Sequence, residues 1–239
     1  MELLELTLDT PEENLALDEA LLLSAEAAGE PRETLRLWEP REPFVVLGSS
    51  SRIAEEVQLD ECQVRGVKVV RRTSGGAAIV TGPGCLMYSL VLSLDERPEL
   101  RSIDRAHCFV LNHVARAIGG LAPGVGIRGT SDLAIGNRKF SGNSLRMKSR
   151  HLLYHGTLLY RFPLDLIEAC LARPPREPAY RAARSHDEFI TNLPLQSLAL
   201  RLALVDAFHP TPSSADWPRE MTAQLAAEKF ASEDWTTRL

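Results

Sequence analysis

Two short apolar runs, Val67 to Val70 and Ala77 to Val80, bracket the segment Arg71-Arg72-Thr73-Ser74-Gly75-Gly76, and no other stretch constrains the fold as strongly. Each run has room for one strand and is too short for a helix. The spacing therefore predicts a strand, a loop and a strand, with the loop tied into a sheet. A phosphate loop that opens a helix is not expected, because the segment matches neither G-x-G-x-x-G nor the Walker A pattern. Two arginines beside a glycine pair suit an anion, since bare backbone lets N–H groups approach closely and guanidinium groups add planar, permanently charged donors. A tight hairpin with solvent-facing arginines satisfies the same residues. Taken alone, the loop does not choose between the two.

Around this loop the pattern alternates between strands and helices without a repeat. Thr10-Pro11-Glu12-Glu13 starts a helix that runs through Leu15, Ala16, Ala20 and Leu22. Leu35 to Trp38 and Phe44 to Gly48 are β-type runs divided by Pro40 and Pro43, and they predict paired strands around a loop. Ala54 to Arg65 reads as a polar helix, Cys85 to Leu94 as a strand, and Ser102 to Ile118 as a helix with Phe109, His113 and Val114 on its buried stripe. Asp132 to Gly142 predicts a hairpin with Gly136-Asn137 at its tip, followed by a strand from Leu152 to Tyr160, a helix from Leu164 to Leu171, an irregular loop from Pro174 to Ser185 and a mostly helical remainder. Strands interleaved with irregularly spaced helices predict an α+β or mixed sheet domain rather than regular βαβ winding.

With 239 residues, 44% hydrophobic and 25% charged, the chain is long enough for one large core, so one domain is expected. Lys and Arg total 27 against 32 Asp and Glu, a net charge of -5. That balance argues against nucleic acid as the main partner and fits a small anionic ligand at a local basic loop. The residues after Met1 form neither a basic leader nor a long apolar core, and no later run approaches the roughly 18 apolar residues of a membrane span, so a cytoplasmic protein is expected. Cys62, Cys85, Cys108 and Cys170 are widely spaced without a C-x-x-C pair, which points to free thiols and away from structural zinc.

Three further residues carry candidate chemistry. Lys139, beside the hairpin turn, can meet a carboxylate or phosphoryl oxygen as a point charge, or it can be a solvated hairpin lysine. Asp132 can hold Mg²⁺ through one carboxylate plus waters, or cap a turn. His155 can donate a hydrogen bond to a ligand, or be a satisfied strand histidine.

In order along the chain, Asn14-Leu15-Ala16-Leu17-Asp18-Glu19-Ala20, Leu37-Trp38 with Val45-Val46-Leu47-Gly48, the Arg71 to Gly76 loop, Asp132 followed by Arg138-Lys139-Phe140-Ser141-Gly142, and His155-Gly156-Thr157-Leu158-Leu159 together resemble the lipoate-protein ligase family. Arg184-Ser185, Thr191-Asn192-Leu193 and Lys229-Phe230-Ala231-Ser232 with Trp235 continue the resemblance over nearly the whole chain. It implies the catalytic domain of the biotin/lipoate ligase superfamily: an α+β fold of mixed, largely antiparallel sheets flanked by helices, class II synthetase-like, filling residues 1–239 without a C-terminal accessory domain. It further implies ATP-dependent activation of lipoate to lipoyl-AMP and transfer of the lipoyl group to a lysine of an acceptor domain.

By the same resemblance, Lys139 is the catalytic bridge between acyl carboxyl and phosphate, and Asp132 is the Mg²⁺-side residue. Arg72, Ser74, Gly75, Gly76, Ala77, Ala78, Ile79, Val80, His155 and Thr157 are the nucleotide- and acyl-binding positions, with 77–80 acting mainly through backbone. Implied acceptors are apo lipoyl domains of 2-oxoacid dehydrogenase complexes or the glycine-cleavage H protein, and a separate accessory subunit is a further implied partner. Three positions depart from the family pattern: Ala77 replaces a third glycine, and Cys85 and Ser131 stand where Asn is usual. A related reading is an octanoyl or lipoyl transferase, taking its acyl group either from preformed lipoyl-AMP or from acyl carrier protein through a cysteine thioester; the latter needs an activated cysteine beside Lys139, with Cys85 the candidate. A third is a non-catalytic lipoyl- or biotin-binding module in which Ala77 has cost the activity.

Overall fold

The computed structural model describes residues 1–212 and 216–239. In chain order its elements are β1 (Glu2–Glu5), α1 (Pro11–Ala27), β2 (Thr34–Trp38), β3 (Phe44–Leu47), α2 (Ile53–Glu56), α3 (Leu59–Val64), β4 (Lys68–Arg71), β5 (Ile79–Thr81), β6 (Cys85–Ser93), α4 (Ile103–Gly119), β7 (Val125–Arg128), β8 (Asp132–Ile135), β9 (Arg138–Met147) and β10 (His151–Leu159). There follow α5 (Asp165–Cys170), α6 (His186–Phe189), α7 (Ser197–Phe208), β11 (Thr211–Pro212), α8 (Arg219–Leu225) and α9 (Glu233–Thr237). The start of α1 follows its capping chemistry: Glu13 N–H donates to the Thr10 hydroxyl at 3.2 Å, and Thr10 N–H donates to the Glu13 carboxylate at 3.0 Å.

Among the described residues an eight-stranded sheet has the order β11-β1-β2-β6-β10-β9-β8-β7, and a three-stranded sheet the order β4-β3-β5. From β2 across to β7 every pairing in the large sheet is antiparallel. The central strands β6 and β10 are buried along their whole length, because both faces are covered. Leu86, Tyr88, Leu90 and Leu92 face a core shared with Val110, Val114 and Ile118 of α4 and Leu200 and Leu204 of α7. The opposite face meets α1, through Leu22 and Ala25 against Val91 and Leu153. The small sheet packs Val45, Leu47, Val70 and Val80 into a second core with Trp38 of β2 and Ile167 and Cys170 of α5.

Four details correct the sequence reading. β2 and β3 are not partners, because the Pro40–Pro43 turn carries the chain from the large sheet to the small one. β4 and β5 do not form a hairpin; each pairs with β3 from opposite sides, so the glycine loop crosses over the end of β3. The polar helix breaks into α2 and α3 because Val57 turns inward to bridge Leu171. On α4 the buried stripe is Ala106, Val110, Val114 and Ile118, while Phe109 and His113 sit half-buried at its edge.

Candidate active site

Consecutive strand residues point to opposite sides, and Arg71 and Arg72 divide accordingly. Arg71 is fully buried, and its guanidinium donates to the carbonyls of Gly48 and Ser51 at 2.7 Å and to Thr236 at 2.7 Å. The Trp235 indole returns a bond to the Arg71 carbonyl at 2.8 Å, so Arg71 fastens α9 to the small sheet. The loop therefore offers one arginine, Arg72, to the cavity beside it and not two. The Arg72 guanidinium is itself engaged: it donates to Gly75 O at 2.6 Å, Ala77 O at 3.0 Å, Val46 O at 3.2 Å and Ser74 Oγ at 3.0 Å. Burial pushes its pKa down to about 10, with the Glu56 charge opposing, so it remains cationic at neutral pH.

The loop is held from three sides. Ser144 on β9 donates to Gly75 O at 2.9 Å, Ser51 donates to Gly76 O at 3.1 Å, and Arg72 holds the carbonyls between. Gly76 has φ +87°, a conformation that favours glycine. Ala77 is exposed and does not have a positive φ, so its methyl is accommodated where a third glycine is usual. The Ala78 N–H donates to the buried Glu56 carboxylate at 2.6 Å, a partner that periodicity could not reveal.

The cavity has a volume of about 460 Å³. Loop residues 76–80 and Arg72 form part of its wall, Asp132 and Lys139 enter from the β8–β9 hairpin, and His155 and Thr157 enter from β10. Ser74 and Gly75 lie behind that wall. Leu15, Val46, Met87, Leu159, Ile167 and Phe189 give the cavity an apolar part, and Lys139 sets a cation in the same space. Gly136, at φ +60°, turns the hairpin, and a bulge between Leu133 and Ala134 aligns Lys139 with Ala134. The Lys139 ammonium lies across Gly142, where a Cβ would sit 3.0 Å from Nζ.

Lys139 Nζ is 2.7 Å from Asp132 Oδ1, and the Tyr180 hydroxyl donates to Asp132 Oδ2 at 2.8 Å. Burial and the neighbouring Asp132 keep Tyr180 protonated, with its pKa raised. Asp132 therefore has both oxygens engaged, and among the described residues no cluster of three or more His, Cys, Asp or Glu could hold a metal. A divalent ion could take one carboxylate here and would need phosphate oxygens and water for the rest of its shell.

His155 presents its ring to the cavity but aims its nitrogens elsewhere. Nε2 lies 2.5 Å from Ser74 Oγ, and Nδ1 lies 3.7 Å from Asp18 Oδ2. Cys85 does not line the cavity; it is fully buried, and burial pushes its thiol pKa up to about 12. Cys62 and Cys170 are also buried, Cys108 is exposed on α4, and none of the four lines the cavity. The sequence reading missed Asn143, which lines the cavity and accepts a hydrogen bond from the Tyr88 hydroxyl. It also missed Ser144, Glu56 and Tyr180. Ser144 was within reach of pattern reading, since it continues the polar run Ser141-Gly142-Asn143 along β9.

Residues 10–201 match the model of the lipoyl protein ligase A/B catalytic domain. The chain is 25% identical over 183 residues to lipoate-protein ligase 1 of Staphylococcus aureus, covering 77% of this chain but 53% of that protein, so it spans about half of that relative's length. It is 26% identical to lipoate-protein ligase A subunit 1 of Thermoplasma acidophilum, covering 98% of this chain and 96% of that one. It is 28% identical to the octanoyltransferase LipM of Carboxydothermus hydrogenoformans, covering 95% and 94%. A crystal structure of lipoate-protein ligase A bound with ATP superposes with a TM-score of 0.80 at 24% identity, over 99% of this chain and 98% of that one, a likeness of fold.

Proposed function

The chain belongs to the family of the lipoyl protein ligase A/B catalytic domain, and from that premise we propose that residues 1–239 act as a catalytic domain that activates lipoate with ATP and passes the lipoyl group to a lysine of an apo lipoyl domain. One observation carries the proposal: Lys139 places a cation at the start of β9 inside a cavity that also holds an apolar wall and the glycine loop. An acyl tail, its carboxylate and a nucleotide phosphate need those three surfaces in one place. S. aureus lipoate-protein ligase 1 and the ATP-bound relative support the choice of lipoate and ATP.

In the first step a lipoate carboxylate oxygen forms a bond to the α-phosphorus of ATP, the bond from that phosphorus to the bridging oxygen breaks, and pyrophosphate leaves. Lys139, exchanging Asp132 for the substrate, touches both the carboxylate and the α-phosphate and aligns them. In the second step the acceptor amine forms the amide, AMP leaves, and Lys139 polarises the acyl carbonyl. Gly76 to Val80 line the nucleotide side through backbone, Arg72 contributes positive potential from behind the loop, Ser74 and Gly75 shape it, and Thr157 and His155 close the floor. Mg²⁺, when bound with the nucleotide, neutralises phosphate charge; Asp132 is the residue to hold it. A thioester route needs a thiolate at the site, and no described cysteine reaches the cavity.

The test is incubation with ATP, Mg²⁺, lipoate and an apo lipoyl domain, following acceptor mass and pyrophosphate release. Acceptor gain with stoichiometric pyrophosphate supports the proposal. Acceptor gain from synthetic lipoyl-AMP but not from ATP and lipoate restricts the chain to the transfer step and points to a separate subunit for activation. Gain only from an octanoylated carrier protein overturns it.

A further inference from the structure

The large sheet carries a row of polar residues directly opposite one another across four adjacent strands: Arg36 on β2 faces Ser89 on β6, Ser89 faces His155 on β10, and His155 faces Ser144 on β9. Polar residues aligned across the middle of a sheet buried on both faces are costly unless every group is partnered. Here they are partnered by two elements outside the sheet. From α1, Asp18 Oδ1 accepts from Arg36 at 2.6 Å and Asp18 Oδ2 accepts from Ser89 Oγ at 2.7 Å. From the glycine loop, Ser74 Oγ meets His155 Nε2 at 2.5 Å and Gly75 O accepts from Ser144 at 2.9 Å. The order Asp18, His155, Ser74 has the composition of a hydrolytic triad, yet Ser74 is fully buried, lies behind the cavity wall and accepts a bond from Arg72 Nε at 3.0 Å. It cannot reach a substrate as a nucleophile.

We infer that Asp18, acting through His155, is a positioning residue that orients the Ser74 hydroxyl and so fixes the Ser74–Gly75–Gly76 backbone against Arg72. The Asp18 carboxylate, 3.7 Å from His155 Nδ1, favours the imidazole proton on that nitrogen through its charge, which leaves Nε2 as the acceptor of the Ser74 O–H. The Ser74 lone pairs are then free to take the Arg72 N–H, and Arg72 sets the Gly75 and Ala77 carbonyls with its remaining donors. Burial raises the Asp18 pKa, but the Arg36 charge, the neighbouring His155 and the Ser89 hydrogen bond outweigh it and leave the carboxyl lowered. The anion that sets the tautomer is therefore present at neutral pH. This inference rests on the reading of the cavity as the ligase site.

The test compares variants with wild-type enzyme in the ATP-driven assay and reads the His155 tautomer by ¹⁵N NMR. In the wild type Nδ1 carries the proton and Nε2 is the acceptor. Asp18→Asn turns an amide N–H₂ toward Nδ1 and reverses that assignment, and kcat falls about tenfold or more while KM for lipoate changes little. Ser74→Ala gives a similar loss, and adding it to Asp18→Asn costs little more, because both break one chain. His155→Gln, whose amide can accept from Ser74 and donate to Asp18, recovers about tenfold over His155→Leu. Wild-type Nε2–H, or additive losses from Asp18→Asn and Ser74→Ala, overturns the inference. If Asp18→Asn does not fold, the wild-type tautomer and the Ser74 and His155 variants decide it. Loss of all activity in the wild type speaks against the ligase reading and leaves the tautomer measurement standing.

Discussion

Lys139 and Cys85 separate two chemistries at the level of single side chains. Lys139→Ala is expected to lower kcat at least about 100-fold in both half-reactions, since it removes the cation aimed at both reacting groups; pyrophosphate release and acyl transfer from lipoyl-AMP measure the two losses separately. Cys85→Ala is expected to keep full turnover, because its thiol is buried away from the cavity. It loses about 1 kcal/mol of stability from the small void, read in a denaturant titration. Arg72, Lys139, Asp132 and His155, all of which line the cavity, stood out in the sequence because charge and imidazole in an ordered series of motifs are visible without coordinates. The sequence overstated Arg71, although strand alternation alone forbids two neighbouring arginines from facing one cavity. It could not show that the His155 nitrogens turn toward Ser74 and Asp18, since Asp18 lies 137 positions away on α1 and reads there as one more polar helix residue.

Glycines mark where elements come close enough to exclude a side chain. At Gly48, which follows β3, an added Cβ would lie 1.8 Å from Gly76 O. Gly48→Ala is therefore expected to push the glycine loop out of place, at a cost of about 2–4 kcal/mol together with most of the activity. Gly126→Ala on β7, where the Cβ meets open space, is the matched control, and stays within about 1 kcal/mol of wild type; chemical denaturation compares the pair. Most elements were legible from hydrophobic period and turn residues, including α1, β6, β10 and the hairpin with Gly136-Asn137 at its tip. Partnership was not. Short strands such as β2 and β3 carry no signal for which sheet receives them, and the crossing of the glycine loop over β3 follows from parallel pairing of β3 with β4, which connects residues far apart in sequence.

For the molecule as a whole, the buried Arg36–Asp18 pair joins α1 to the large sheet, with both side chains at or below 4% exposure. Removing one partner of such a pair costs about 3–5 kcal/mol, because the other charge is left buried. The Asp18 pKa is lowered in the folded state, so its stabilising contribution is complete above its unfolded value near 3.8 and is lost as pH falls through the folded value. Thermal melts should show Asp18→Asn less stable than wild type at pH 7, with the gap narrowing below about pH 4. A constant gap across that range would place the carboxyl's contribution elsewhere. No helix among the described residues is long and apolar enough to cross a membrane. The overall α+β class was readable because apolar runs, turn residues and irregular helix spacing all agreed; the row that links α1, four strands and the glycine loop was not, because it is assembled from single polar residues on separate elements.

Lipoate-dependent exchange of labelled pyrophosphate into ATP distinguishes adenylation from thioester transfer, since it reports formation of the acyl-adenylate without any acceptor. Exchange is expected to require lipoate, to vanish in Lys139→Ala and to persist in Cys85→Ala. ATP-independent transfer from an octanoylated carrier protein that is lost in Cys85→Ala, with no exchange in the wild type, would contradict the ligase reading.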